Sequence, residues 1–327
     1  MKKTLTFILS ALLLMTALCG CSQTPLSSDT TESDAVTEDS PVRDPNPPSD
    51  FEYETNDEGN IVIKRYIGET VDVVIPSNID GATVIGFDWA CFTGNRTIVS
   101  IYIPDGITDI PPGAFNLCVN LADVRISPNT VNIGNGAFEG SGITSIHFPK
   151  GLTEVGMRAF YGCKDLKTVI IPPNASFNAE AFADSDIETV VFEEGVKIIG
   201  YSMFASTNLK EVILPTSVQT IGVSAFSGCP HLETVLLNQG LTEIGAYAFA
   251  SNPKLTEIVI PSSVVNIQDN SFVGCQSLKK VKFDGNAPQN YISGNFQSDM
   301  PAYTVYYHSD AEGFTSPKWY GYPTEIW

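Results

Sequence analysis

The chain has 327 residues, of which 18 are Lys or Arg and 37 are Asp or Glu, so its formal net charge is −19. A chain this acidic, with no compensating basic patch, repels phosphate backbones, which argues against nucleic-acid binding. Apolar residues make up 43% of the sequence, and Gly and Pro contribute 26 and 21 residues. This composition predicts a turn-rich β protein with enough apolar residues for a long core.

Residues 1–20 have the pattern of an export signal. Lys2 and Lys3 precede an apolar run that ends at Leu18 and is shorter than a typical transmembrane helix. The run ends in Leu-Cys-Gly-Cys, which resembles the bacterial lipobox, whose last Cys is lipidated and becomes the mature N-terminus. We therefore predict a lipoprotein signal peptide, lipidation of Cys21 and anchoring of the exported protein to a bacterial membrane or cell surface. An ordinary cleaved signal that releases a soluble protein is the alternative.

The segment after the signal is polar and acidic. Residues 22–50 contain 15 Ser, Thr or Pro residues, seven acidic residues and a single base, Arg43. Almost nothing in this composition can be buried, and its like charges repel one another. We predict that residues 21–50 form a disordered tether that holds the folded part away from the membrane.

The remainder of the chain is dominated by an internal repeat, which settles the architecture. A Phe recurs every 22 or 23 residues, and Ala precedes it in six of nine instances. These anchors are Phe92, Phe115, Phe138, Phe160, Phe182, Phe204, Phe226, Phe249 and Phe272. A fixed period of this length is typical of solenoids, in which each repeat buries its apolar residues only against its neighbours.

Each repeat has the same frame, and the clearest instance runs from Leu209 to Cys229. A segment of alternating apolar residues predicts one short strand, and a Pro just after it, such as Pro215, ends the strand pairing. The Ile-Gly and Ala-Phe pieces that follow are too short for a full helix and suit a turn or a short helical piece. Stacked strands then form a parallel sheet, and the predicted fold is a repeat solenoid capped at both ends.

The repeat frame resembles the BspA-like leucine-rich repeats of bacterial surface proteins. Its consensus is Leu-x-x-Val-x-Ile-Pro-x-x-Val-x-x-Ile-Gly-x-x-Ala-Phe-x-Gly-Cys. The resemblance covers residues 70–285, and residues 51–69 look like the N-terminal cap of that family. It implies a solenoid of leucine-rich repeats of 22–23 residues. It also implies adhesion or another interaction with a host or neighbouring-cell protein, without identifying the ligand.

Residue types that carry catalysis or bind metals form no recognisable pattern. Four of the five Cys residues beyond Cys21 lie three positions after an anchor Phe, where other repeats have Ser, Thr or Asn. This slot predicts a small buried corner with unpaired, structural thiols. No cofactor, metal site or enzyme motif is predicted. Parallel β-helix polysaccharide lyases, whose coils have a similar length, remain the enzyme alternative.

The predicted strands also define an exposed face, because side chains alternate between the two sides of a strand. The outward position in successive repeats is predicted to bind a partner. Its residues are Tyr102, Arg125, His147, Ile170, Val191, Ile213, Leu236 and Val259. Five of them in a row are apolar, which is consistent either with a partner-binding stripe or with a β-branched ladder that stabilises the sheet.

Residues 286–327 break the repeat and are rich in aromatic residues, which predicts an aromatic C-terminal cap over the last turn. A carbohydrate-binding platform formed by Trp319, Tyr320 and Tyr322 is the alternative. The sequence as a whole therefore predicts a surface-anchored, non-enzymatic module that binds a protein through its sheet face. A carbohydrate-binding or carbohydrate-degrading exoprotein is the second hypothesis.

Overall fold

The computed structural model describes residues 44–89, 91–291 and 303–327. The predicted signal peptide, Cys21 and the tether up to residue 43 lie outside these residues. The described chain is a repeat solenoid of parallel strands, which confirms the predicted fold class.

Strands of two to six residues account for nearly all of the regular structure. In the N-terminal part they are β1 (Phe51–Thr55), β2 (Ile61–Tyr66), β3 (Asp72–Val74), β4 (Asn78–Ile79) and β5 (Ala82–Phe87). The repeats contain β6 (Ser100–Tyr102), β7 (Asp109–Ile110), β8 (Asp123–Arg125), β9 (Asn132–Ile133), β10 (Glu154–Val155), β11 (Thr168–Ile171), β12 (Ser176–Phe177), β13 (Thr189–Phe192), β14 (Ile198–Ile199), β15 (Glu211–Ile213), β16 (Thr220–Ile221), β17 (Thr234–Leu236), β18 (Glu243–Ile244), β19 (Glu257–Ile260), β20 (Asn266–Ile267), β21 (Lys280–Phe283) and β22 (Asn290–Tyr291). The chain then forms β23 (Thr304–Tyr307), β24 (Lys318–Trp319) and β25 (Tyr322–Ile326).

Most repeats contribute two strands rather than the single strand that the sequence predicted. The longer strand belongs to what we call the sheet face, which contains β3-β6-β8, β11-β13, β15-β17 and β19-β21-β23-β25. The shorter strand belongs to a second ladder, formed by β7, β9, β10 and β12 and then by β14, β16, β18, β20 and β22. A two-residue strand is too short to produce an alternating pattern in the sequence, which is why it was not predicted.

The anchor Phe residues form a continuous stack through the core. Neighbouring rings are stacked with centroids 5.1–5.8 Å apart and interplanar angles of 5–21°. This separation is slightly larger than the ~4.8 Å between strands, as expected for rings that are offset as well as stacked. Every anchor Phe is buried, so each turn fills its core against the turns on either side.

The segment around each anchor Phe is a turn and not a helix. The residues two before and two after the Phe have positive φ, as at Arg158 and Gly162 around Phe160, with values of 57° and 67°. A helix cannot contain such residues, so the short helical piece that the sequence allowed does not form. The turn instead pairs with the next one, since the Phe160 N–H donates to the carbonyl of Ala181 at 2.8 Å.

The Gly of the Ile-Gly pair allows neighbouring turns to approach closely. A Cβ at Gly245 would lie 2.7 Å from the carbonyl carbon of Gly222, and a Cβ at Gly222 would lie 2.8 Å from the carbonyl oxygen of Ile199. These contacts are to backbone, which cannot move without opening the stack. The close spacing between turns therefore explains why Gly recurs at this position in the sequence.

The two ends of the solenoid are closed differently. At the N-terminal end, β1 and β2 pair antiparallel, and β2 pairs in parallel with β5. The ordered structure begins before residue 51, because Asn46 N–H donates to the carbonyl of Val74 at 2.9 Å and its side-chain oxygen accepts from Val74 N–H at 2.7 Å. The boundary of the predicted tether at residue 50 is therefore too late. At the other end, β25 continues the sheet face beyond β23 and pairs antiparallel with β24.

Candidate binding face

The predicted outward column lies on the exposed side of the sheet face. We call its central part, Ile170, Val191, Ile213, Leu236 and Val259, the apolar stripe. Ile170 lies opposite Val191 in the strand register, and Ile213 lies opposite Leu236. The first four side chains are 40–44% exposed, whereas Val259 is half-buried. The inward neighbours of these residues, such as Val212, are buried, so the stripe is not needed to complete the core.

Polar side chains occupy the same column in the earlier repeats. Tyr102 and Arg125 lie opposite each other in neighbouring strands, and both are exposed. His147 is exposed as well, although its repeat has no assigned strand on the sheet face. The eight predicted residues are thus brought onto one face, with polar and aromatic residues toward the N-terminal end and apolar residues in the centre.

Charged residues beside the stripe are largely paired. Lys210 Nζ lies 2.5 Å from Glu188 Oε2, and this hydrogen bond lowers the pKa of Glu188. Glu233 pairs with Lys254 at 3.1 Å. Ion pairs this exposed contribute little to stability, so they mainly neutralise charge at the border of the face.

At the C-terminal end of the stripe the outward position becomes charged, because Lys282 lies opposite Val259 in the register. Lys282 Nζ is 2.6 Å from Glu257 Oε1 and 4.9 Å from the ring centroid of Trp327. The Trp327 ring in turn stacks on His308, with centroids 5.0 Å apart. A cation–π contact and an ion pair therefore close this end of the stripe. Trp327 lies outside the repeats, so no periodic pattern predicted its position.

The structure of the aromatic C-terminal cap changes the alternative glycan-binding site that the sequence predicted. Trp319 is only 3% exposed, and its indole N–H donates to the Gly313 carbonyl at 3.0 Å. A buried indole cannot stack on a sugar ring, so Trp319 is a core residue of the cap and is removed from the predicted glycan-binding set. Tyr322 is half-buried against Tyr303, and burial raises its pKa. Of the three predicted residues, Tyr320 alone is exposed.

The cysteine slot is a buried hydrogen-bonding corner. Cys163 Sγ donates to the Phe138 carbonyl at 3.1 Å, and the Thr207 hydroxyl occupies the equivalent position and donates to the Phe204 carbonyl at 2.9 Å. The five thiols among the described residues are free and buried. Burial raises the pKa of Cys163 to about 12 and that of Cys118 to about 11, so both are protonated at neutral pH. Protonated, inaccessible thiols are poor nucleophiles and poor metal ligands.

The described residues bring no three His, Cys, Asp or Glu side chains together in a way that could hold a metal ion. Within the same part of the chain, no helix is long and apolar enough to cross a membrane.

Comparison with known families agrees with this architecture. A family model described as the BspA type leucine rich repeat region matches six copies over residues 87–210 and 197–314. The match covers more than half of the chain, so the protein belongs to the BspA-type leucine-rich repeat family. Membership indicates a repeat-based binding or surface module, and solenoids of this family are generally non-enzymatic.

Solved structures show the same fold. A leucine-rich repeat protein from Bacteroides ovatus is 25% identical with a TM-score of 0.68, and the match covers 79% of this chain and 70% of that one. A leucine-rich repeat protein from Eubacterium ventriosum is 21% identical with a TM-score of 0.50, covering 80% of this chain and 77% of that one. No curated protein matches the chain.

Proposed function

We propose that this protein is a surface-attached, non-enzymatic module that binds a partner protein through the sheet face. The observation that carries the proposal is the apolar stripe. Four of its side chains are exposed on consecutive turns although the core beneath is already complete. Contiguous exposed apolar surface on a soluble fold usually marks an interaction site. Leucine-rich repeat proteins commonly bind proteins, which supports the choice of partner.

Attachment at the surface is proposed from the N-terminal sequence. The signal-like residues and the lipobox-like segment that ends in Cys21 support export followed by acylation. Two acyl chains hold a protein at a membrane where one is marginal. Replacing Cys21 by Ala should release the protein into the medium or leave its signal uncleaved. Unchanged membrane retention and processing of Cys21→Ala would contradict the lipid anchor.

The sheet-face proposal is tested with the double variant Ile213→Thr and Leu236→Thr. Its matched control is Ile198→Thr with Val265→Thr, because both apolar residues are exposed and lie away from the stripe, Ile198 in β14 of the second ladder and Val265 just before β20. Binding of the full chain to an array of purified extracellular-matrix proteins is measured for both. We expect a saturable protein hit that the stripe variant loses and the control retains. Equal loss in both variants would rule out the stripe as the site.

A glycan array is run in parallel because the exposed Tyr320 and Trp327 at the C-terminal end have the amphipathic rings that sugars stack on. A glycan hit that is lost in Tyr320→Ala or Trp327→Ala, and is insensitive to the stripe variant, would replace the protein-binding proposal with a carbohydrate-binding one.

A further inference from the structure

We propose that the segment bound by the sheet face is basic and apolar, with Lys or Arg side chains next to the apolar residues that cover the stripe. This inference rests on the proposed function and adds the chemistry of the partner. It follows from two carboxylates beside the centre of the stripe, Glu193 and Glu211, and from the charge of the chain as a whole.

Glu193 and Glu211 lie on opposite sides of the stripe on consecutive turns. Glu193 follows Val191 by two residues, and the intervening Phe192 is buried, so Glu193 points outward like Val191. Glu211 precedes Ile213 by two residues around the buried Val212 and is exposed as well. Two residues of a strand span about 6.7 Å, which is the distance between neighbouring side chains on one face. The centre of the stripe is therefore bordered by a carboxylate on each side.

These two carboxylates differ in their pairing from three others near the stripe. Glu188, Glu233 and Glu257 each form an ion pair with a Lys. Neither Glu193 nor Glu211 has a cationic group within 4.0 Å in the part of the chain that the structure describes.

A third carboxylate strengthens the negative field at this point. Glu194, next in sequence to Glu193, accepts hydrogen bonds from the Thr216 hydroxyl at 2.7 Å and from the Thr216 backbone N–H at 3.2 Å. The hydroxyl contact is the main reason that the pKa of Glu194 is lowered. Its charge is thus held in place without a neutralising cation.

Charge also decides between the possible occupants of the face. The chain has a formal net charge of −19, so a second copy would bring like charge onto the same carboxylates. Anionic polymers are disfavoured for the same reason. A basic segment would gain complementary contacts at the border of the stripe and would be steered toward it during association. An apolar segment without cations would leave Glu193 and Glu211 unpaired beside a buried contact.

The test uses three short synthetic peptides and the full chain. One peptide alternates Lys and Val, the second alternates Glu and Val, and the third alternates Lys and Ser. We expect saturable binding of the Lys–Val peptide, with an on-rate that falls as salt increases, and at least tenfold weaker binding of the other two. No saturable binding of the Lys–Val peptide, or equal binding of the Glu–Val peptide, would overturn the inference.

Variants locate the peptide on the protein. The double variant Glu193→Gln with Glu211→Gln should weaken binding of the Lys–Val peptide by about tenfold, the size expected for two exposed charge pairs. Its matched control is Asp109→Asn with Glu154→Gln, which removes the same charge from exposed residues of the second ladder. An equal loss in the control would mean general charge attraction and would overturn the inference.

The outcomes also separate this inference from the proposed function. If the stripe variant abolishes binding of a matrix protein but the variant of Glu193 and Glu211 does not, the sheet face is the site and the basic partner is wrong. If neither variant affects that binding, the proposed site itself is wrong as well.

Discussion

The interior and the sheet face of the solenoid obey different rules, although their residues alternate along the same strands. Inside, nearly every turn repeats the same chemistry, with one Phe in the ring stack and a small residue in the slot three positions later. On the sheet face, the outward position changes from Tyr102 through Arg125 to the apolar stripe and then to Lys282. Packing between turns constrains the interior, because each turn must fit its neighbours. The outward position has no such constraint, so its residue type is free to vary from turn to turn.

Chemical accessibility should give the largest difference between the two regions. Cys163 is buried and its raised pKa keeps it protonated, so the native protein should react with a thiol reagent at pH 8 at least about a thousandfold more slowly than the unfolded chain. The matched control is Ile213→Cys, which places a thiol in the apolar stripe and should react at the rate of an exposed thiol. Rapid labelling of Cys163 in the native state would show that the turns open locally.

The same thiols predict a loss of stability at alkaline pH. The folded-state pKa of Cys163 is about 12 and that of Cys275 about 11, against an ordinary value of 9.0. Their contribution to the free energy of unfolding is complete below pH 9 and is lost as the pH rises toward 12, because the unfolded chain releases these protons first. Urea unfolding across this pH range checks the sign. The decline should be smaller in Cys163→Ser, since Ser already occupies this slot at Ser141 and Ser185.

Removing one ring from the stack should be the costliest single substitution. Phe182 stacks between Phe160 and Phe204, with centroids 5.2 and 5.4 Å away. Phe182→Ala should lower the free energy of unfolding by about 3–5 kcal/mol, since the cavity is enclosed by turns that cannot collapse. The control is Tyr201→Ala, which removes a ring of similar size from an exposed position and should change stability by less than about 0.5 kcal/mol. Comparable losses in the two variants would contradict the packing argument.

The Gly residues test how tightly the turns are spaced. Gly245→Ala places a methyl group 2.7 Å from backbone atoms of Gly222 and Val223, so the free energy of unfolding should fall by about 1–3 kcal/mol. Gly151→Ala is the matched control, because nothing lies within 4 Å of its Cβ position. Its stability should be unchanged or slightly raised, through the reduced freedom of the unfolded chain. Urea denaturation of both variants provides the comparison.

The features that could be predicted from the sequence are those that recur in every repeat. The period of the anchor Phe fixed the turns, and the alternation around Val212 and Ile213 placed the stripe on the exposed side. Features that occur once could not be found in this way. Trp319 was assigned both to the predicted cap and to the alternative exposed platform, because no period distinguishes a buried aromatic residue from an exposed one in the cap. Likewise, Val259 is half-buried at the end of the stripe, next to Lys282 in the neighbouring strand. This arrangement occurs only once among the described repeats, so no periodic pattern could predict it.

Two adjacent residues of one strand compare the interior with the sheet face directly. Val212→Thr introduces a hydroxyl into a position with no exposed surface, and leaving it without a partner should cost about 1–3 kcal/mol of the free energy of unfolding. Ile213→Thr keeps a β-branched side chain on the exposed side and should change stability by less than about 0.5 kcal/mol. Urea denaturation of both variants measures the difference. A cost for Ile213→Thr close to that of Val212→Thr would mean that the stripe stabilises the sheet by packing between strands, as a β-branched ladder does. A small cost, combined with loss of the bound partner, would instead mean that the stripe exists for binding.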